Sequence, residues 1–183
     1  SSDGRRLAWM AWDHPHMPWD ESELRVGDLT DGVVASWRKV LGGRDESVVE
    51  PLWADADHLY AVSDRSGWWN LYLVDVSGGS DPVALAPREE EFSGPLWQLG
   101  YHRCAVLEDG KLLVLRGGGV ETLGVLDPAT GSIDDIALPY THWHPSIAVH
   151  GDYVAGVAGS ALLPDSVICV DLASRDVVVF RKY

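Results

Sequence analysis

The sequence predicts an all-β fold, a segment of a β-propeller, and three observations carry that prediction. Apolar residues fall in runs of four to seven, rich in Val, Leu, Tyr and Trp and cut by Gly, Pro, Asp and Ser clusters. The triplet Pro51-Leu52-Trp53 recurs as Pro95-Leu96-Trp97, 44 residues on. Asp28, Asp75, Asp127 and Asp171 each lie at the end of a similar strand pattern, at separations of 47, 52 and 44 residues. A period of ~40–50 residues with about four strands per repeat is the mark of propeller blades, each of which needs neighbours to cover its sheet.

Taken in order, the first repeat has a turn at Asp3-Gly4, a strand from Arg6 to Trp12, and a strand from Glu23 to Leu29 that carries Asp28. It opens without an innermost strand. The second repeat runs through Val48 to Trp53, His58 to Ser63, Leu71 to Val76 and Val83 to Ala86. The third starts again at Phe92 with Gly94-Pro95-Leu96-Trp97, then Tyr101 to Leu107, Leu112 to Leu115 and Gly124 to Asp127. The last starts at His144 and continues through Tyr153 to Ala158, Val167 to Leu172 and Val177 to Phe180, ending at Tyr183. The expected blades are residues 1–44, 45–88, 89–140 and 141–183 of one partial propeller domain. Trp53 and Trp97 are expected in the core, and the four aspartates are expected to accept hydrogen bonds from amides of the turn that follows them. Such a sequence reads as a piece of a longer chain.

Composition narrows function. Apolar residues make up 46% of the 183 residues and charged residues 23%, the balance of a folded, soluble domain. No apolar run approaches the ~20 residues of a membrane span, and no signal segment opens the chain. A net charge of −14 repels phosphate backbones and excludes nucleic acid as a partner, while favouring cationic ligands. Cys104 and Cys169 sit in strand-like runs and read as buried free thiols, which points to the cytoplasm. His14 with His16, and His142 with His144, have the spacing of two metal ligands on one strand face, but no third ligand is identifiable. Asp55-Ala56-Asp57 lacks the ligands of a calcium loop. No metal and no other cofactor is expected.

Several segments resemble the propeller half of prolyl-oligopeptidase-family serine peptidases, in particular the bacterial aminopeptidase and acylaminoacyl-peptidase branch. They are Ser2 to Trp9, Trp12-Asp13-His14-Pro15-His16-Met17-Pro18-Trp19-Asp20, Ser63-Asp64-Arg65-Ser66-Gly67-Trp68-Trp69-Asn70-Leu71-Tyr72, and Glu89 to Trp97. The resemblance implies a seven-bladed propeller over an α/β-hydrolase domain carrying a Ser-Asp-His triad, the propeller limiting entry to short peptides or aminoacyl substrates. That catalytic domain would be this segment's partner, since no Gly-x-Ser-x-Gly elbow is present; Gly78-Gly79-Ser80-Asp81-Pro82 fails at its last position. The main alternative is a non-enzymatic protein-binding propeller resembling TolB-type scaffolds, and a propeller glycosidase is weaker still.

Blade topology places the loop between second and third strands at the same end as the linker to the next blade. Trp12, His14, Trp19, Trp68, Trp69 and Glu89-Glu90-Glu91 therefore gather at one end, which is expected to face the hydrolase domain. The glutamate run would clamp a substrate's α-ammonium, and it resembles the propeller glutamates of dipeptidyl peptidases; the competing reading is a solvated acidic linker. Trp68 and Trp69 would wall a substrate side chain, or else pack between blades.

Overall fold

The computed structural model describes residues 1–182; Tyr183, which the sequence assigns to the last blade, lies outside them. Among the described residues the fold is all-β, in two compact units, Ser1–Trp97 and the residues from Gln98 on.

The first unit holds two antiparallel sheets. One consists of β1 (Arg6–Ala11), β2 (Ser22–Thr30) and β3 (Val33–Gly43), in that order. It has three strands, as expected for a blade without its innermost strand. The other runs β4 (Val48–Trp53), β5 (His58–Ser63), β6 (Asn70–Asp75) and β7 (Val83–Ala84). Alternation in β2 sends Leu24 and Val26 inward, where they meet Val48, Leu59, Ala61, Tyr72 and Val74 in one apolar core. The β2–β3 hairpin closes on Asp31-Gly32, both at positive φ (52° and 76°), which a two-residue turn of this twist requires.

The second unit repeats the plan. Its first sheet orders β8 (Cys104–Val106) and β9 (Leu112–Gly117) beside β10 (Glu121–Leu126) and β11 (Ile133–Asp135). In its second sheet β12 (His142–Trp143) and β13 (Ala148–His150) both pair with β14 (Tyr153–Ser160), followed by β15 (Leu163–Asp171) and β16 (Val177–Lys182). Leu113, Leu115, Leu123, Trp143, Ile147 and Ile168 form its core. Neither cysteine is in a disulfide; Cys104 is buried and Cys169 half-buried.

Three of the four repeated aspartates act as expected. Asp75 accepts from the Ser77 amide at 2.7 Å, Asp127 from that of Ala129 at 2.9 Å, and Asp171 from those of Ala173 and Ser174 at 2.9 and 3.0 Å. Asp28 does not. Strand β2 continues to Thr30, so Asp28 stays inside the ladder, where it accepts from the Ser36 hydroxyl at 3.2 Å and pairs with Arg6 and Arg38 at 3.4 and 3.5 Å.

The second departure is Trp97. Gly94-Pro95-Leu96-Trp97 forms no strand, the innermost strand of that sheet is β8, and Trp97 is 70% exposed, whereas Trp53 packs against the core. Gly94, Pro95 and Gly100 disfavour a ladder in this stretch, and Pro95 has no N–H to give one.

Gly42 closes β3 at φ +81°, and a Cβ there would lie 2.2 Å from the Ser22 carbonyl oxygen. Gly42→Ala is therefore expected to cost ~2 kcal/mol or more, through backbone strain and a clash that backbone cannot relieve. Gly32→Ala, with open space at its Cβ, is expected to cost only about 1 kcal/mol, and urea unfolding of the intact protein checks both.

Candidate functional site

The predicted Trp68-Trp69 loop and Glu89–Glu91 linker are joined through the buried Asn70 amide and the Trp69 backbone. Asn70 opens β6 and is 1% exposed. Its side chain donates to the Arg88 and Glu90 carbonyls at 3.0 and 3.2 Å and accepts from the Arg88 N–H at 2.8 Å. One residue earlier, the Trp69 N–H donates to Glu91 Oε2 at 2.7 Å, and the Trp69 carbonyl accepts from the Phe92 N–H at 2.7 Å. Phe92 is fully buried. The loop carrying Trp68 and Trp69 is thus sewn to the linker carrying Glu89, Glu90 and Glu91.

The three glutamates are not equivalent. Glu89 is exposed, Glu90 is half-buried, and Glu91 spends a carboxylate oxygen on a backbone amide. Trp68 and Trp69 are half-buried, with Ser66 Oγ donating to the Trp68 carbonyl at 3.1 Å. Gly67, at φ +86°, makes the tight turn that this loop needs.

The other predicted loop has its own order. The Met17 N–H donates to Asp20 Oδ2 at 2.8 Å, and the His16 N–H to the Asp13 carbonyl at 3.0 Å. Trp12 and His14 are exposed. Trp19, half-buried, lies against Trp97 with ring centroids 4.3 Å apart. The tryptophan expected in the core is therefore an outer member of this aromatic pair.

Sequence reasoning gave Asn70 no role of its own, and it missed the ionic support beneath the loop. Glu46 takes Arg65 in a two-pronged pair at 3.0 Å on each oxygen and accepts from the Ser63 hydroxyl at 2.6 Å, while Arg65 also lies over the Tyr72 ring. Asp64 Oδ1 accepts from the Ser47 N–H at 2.7 Å. Neither pairing is visible in sequence, because partners stand 17 and 19 residues apart with no common motif.

The second unit uses a similar device. Glu121 Oε2 accepts from the Trp143 N–H at 2.6 Å, and Glu121 also pairs with Arg103. A cavity of about 260 Å³ beside it is lined by Glu121, Tyr140 and Trp143 among others. A larger hollow of about 430 Å³ is rimmed by the ion pairs Lys111–Asp109 and Arg175–Asp134. Among the described residues no group of three or more His, Cys, Asp or Glu is placed to hold a metal ion, and no helix is long and apolar enough to cross a membrane.

Antiparallel sheets of this order and repeat define a β-propeller segment. No family model and no curated protein matches the chain. Among solved structures it is similar over its whole length to a puromycin-hydrolyzing peptidase of Mycobacterium tuberculosis, with 47% identity and a TM-score of 0.96. It is similar likewise to a puromycin hydrolase, with 39% identity and a TM-score of 0.92, also solved as a serine-to-alanine variant complexed with PGG. The chain spans 28% of the length of each. Prolyl oligopeptidase B of Galerina marginata (14% identity, TM-score 0.73, all of this chain and 25% of that one) shares the fold. So does TolB of Acinetobacter baumannii (17%, 0.64, all of this chain and 42% of that one).

Burial, and secondarily the Glu46 carboxylate, hold Asp64 above the usual aspartate range despite its bond from the Ser47 amide. The folded state is favoured by this group at low pH, and that advantage is lost as pH rises through the raised folded value. Asp64→Asn, which keeps an oxygen for Ser47, is expected to raise the unfolding midpoint at neutral pH and to leave it unchanged near about pH 3, below both ionisations. Thermal melts of the intact protein at the two pH values check this.

Proposed function

We propose that this chain is the substrate-gating and specificity propeller of a serine aminopeptidase that hydrolyses short peptides or aminoacyl amides. Catalysis belongs to an α/β-hydrolase domain elsewhere in the polypeptide, where a serine is acylated by the substrate and then freed by water. The observation that carries this reading is the joined assembly of Asn70, the Trp68-Trp69 loop and the Glu89–Glu91 linker. It favours a built site over a loose acidic linker.

Within it Glu89 and Glu90 receive the substrate's α-ammonium. Glu91, already accepting the Trp69 N–H, holds the linker in place. Two carboxylates beside one cation give short, charge-assisted hydrogen bonds, strong where water is partly excluded. Trp68 and Trp69 wall the neighbouring side chain, and Trp12, His14 and Trp19 line the approach. The similar peptidases hydrolyse puromycin, and aminoacyl compounds of that kind are the proposed substrate class. Two cysteines that are not joined in a disulfide accord with a cytoplasmic location.

Glu89→Gln and Glu90→Gln in the intact peptidase are each expected to raise KM for puromycin about tenfold, with kcat changed less, as expected when a charge-assisted contact to the substrate is lost. Hydrolysis of an N-acetylated aminoacyl amide should be unaffected. Unchanged KM for free-amine substrates in both variants would overturn the clamp.

A further inference from the structure

Strand β4 contains a feature that its sequence pattern does not require. Its register to β5 slips between Val49 and Leu52, so that Glu50 and Pro51 form a bulge, and Glu50 sits at φ +53°. A residue with a side chain seldom adopts this left-handed conformation, and bulges of this kind re-aim side chains. Glu50 is also only 6% exposed, a burial at which a charged residue is rare unless it is paired. Its Oε1 accepts from the Ser93 hydroxyl at 2.6 Å, and Ser93 is 3% exposed.

Ser93 stands two residues beyond Glu91, at the end of the acidic linker. From Arg88 to Ser93 that linker is held on three sides: by Asn70 at Arg88 and Glu90, by Trp69 at Glu91 and Phe92, and by Glu50 at Ser93. Trp69 ends the loop that the linker is joined to and Asn70 opens β6 just after it, whereas Glu50 belongs to strand β4. We propose that Glu50 is a positioning residue, whose strained, buried carboxylate anchors the glutamate linker to the sheet and so sets where Glu89 and Glu90 present their charges. The kinetic consequence rests on the clamp reading above; the structural one does not.

The test uses the intact peptidase with Glu50→Ala, Glu50→Gln, Ser93→Ala and the double alanine variant. Hydrogen–deuterium exchange over residues 88–93 is expected to quicken in Glu50→Ala and Ser93→Ala, to stay near wild type in Glu50→Gln, and to be no faster in the double variant than in Glu50→Ala, which already removes the acceptor of the Ser93 hydroxyl. KM for puromycin is expected to rise about tenfold in the alanine variants with kcat little changed, and to recover in Glu50→Gln. Additive effects in the double variant, or exchange quickened equally across β4 to β7, would overturn the anchor. So would unchanged exchange at 88–93. If exchange responds as expected while KM is unmoved here and in Glu89→Gln and Glu90→Gln, the anchor stands and the clamp falls.

Discussion

Strand β5 buries five consecutive residues, Leu59 to Ser63, and β9 buries five more, Leu112 to Arg116. Neighbouring residues of a strand point to opposite faces, so an unbroken buried run means that both faces of the sheet are covered. That constraint governs the rest of the molecule. With both faces spoken for, the strands have no room for polar recognition chemistry, and it moves to the loops at the strand ends. Two of the four outer strands, β7 and β11, are only two and three residues long, which limits the exposed ladder on which other chains can pair, whereas β3 and β16 run to 11 and 6 residues.

Loops at the ends of such sheets must satisfy their own backbone. Here long-range side chains do it: Asn70 for Arg88 and Glu90, Glu91 for Trp69, Asp64 for Ser47, Glu121 for Trp143. Each pairs a backbone N–H or carbonyl, and at buried Ser47 and Trp143 an unpaired one would cost more than the bond itself contributes. Polar residues that look available for chemistry are therefore partly committed to holding the frame. Glu91 shows the point: it belongs by sequence to a run of three like residues, yet its carboxylate is already engaged.

What the sequence made legible follows the same division. Strand periodicity and the recurrent turn aspartates are local signals, and they located the all-β repeat and the amide-accepting roles of Asp75, Asp127 and Asp171. Asp28 shares the spacing but not the role, because strand length decides whether an aspartate meets a turn, and β2 runs past it. Trp97 matched Trp53 in its triplet but not in its environment, since burial depends on strand pairing that Gly94 and Pro95 disfavour. The partnerships of Asn70 with Arg88, Glu46 with Arg65 and Glu50 with Ser93 join residues 18, 19 and 43 apart. No periodicity encodes them, so they appear only when the chain is folded.

Charge adds a last step. A net −14 draws amines from a distance, but at physiological salt its reach is only about 8 Å, and it does not distinguish one cation from another. Discrimination needs carboxylates held at fixed positions and partly shielded from water, where hydrogen-bond geometry counts. The linker that carries Glu89 and Glu90 is tied to its surroundings from Arg88 to Ser93. In the proposed clamp, a linker tied in this way would keep Glu89 and Glu90 in place, and that restraint would turn a general attraction for cations into selectivity for an ammonium.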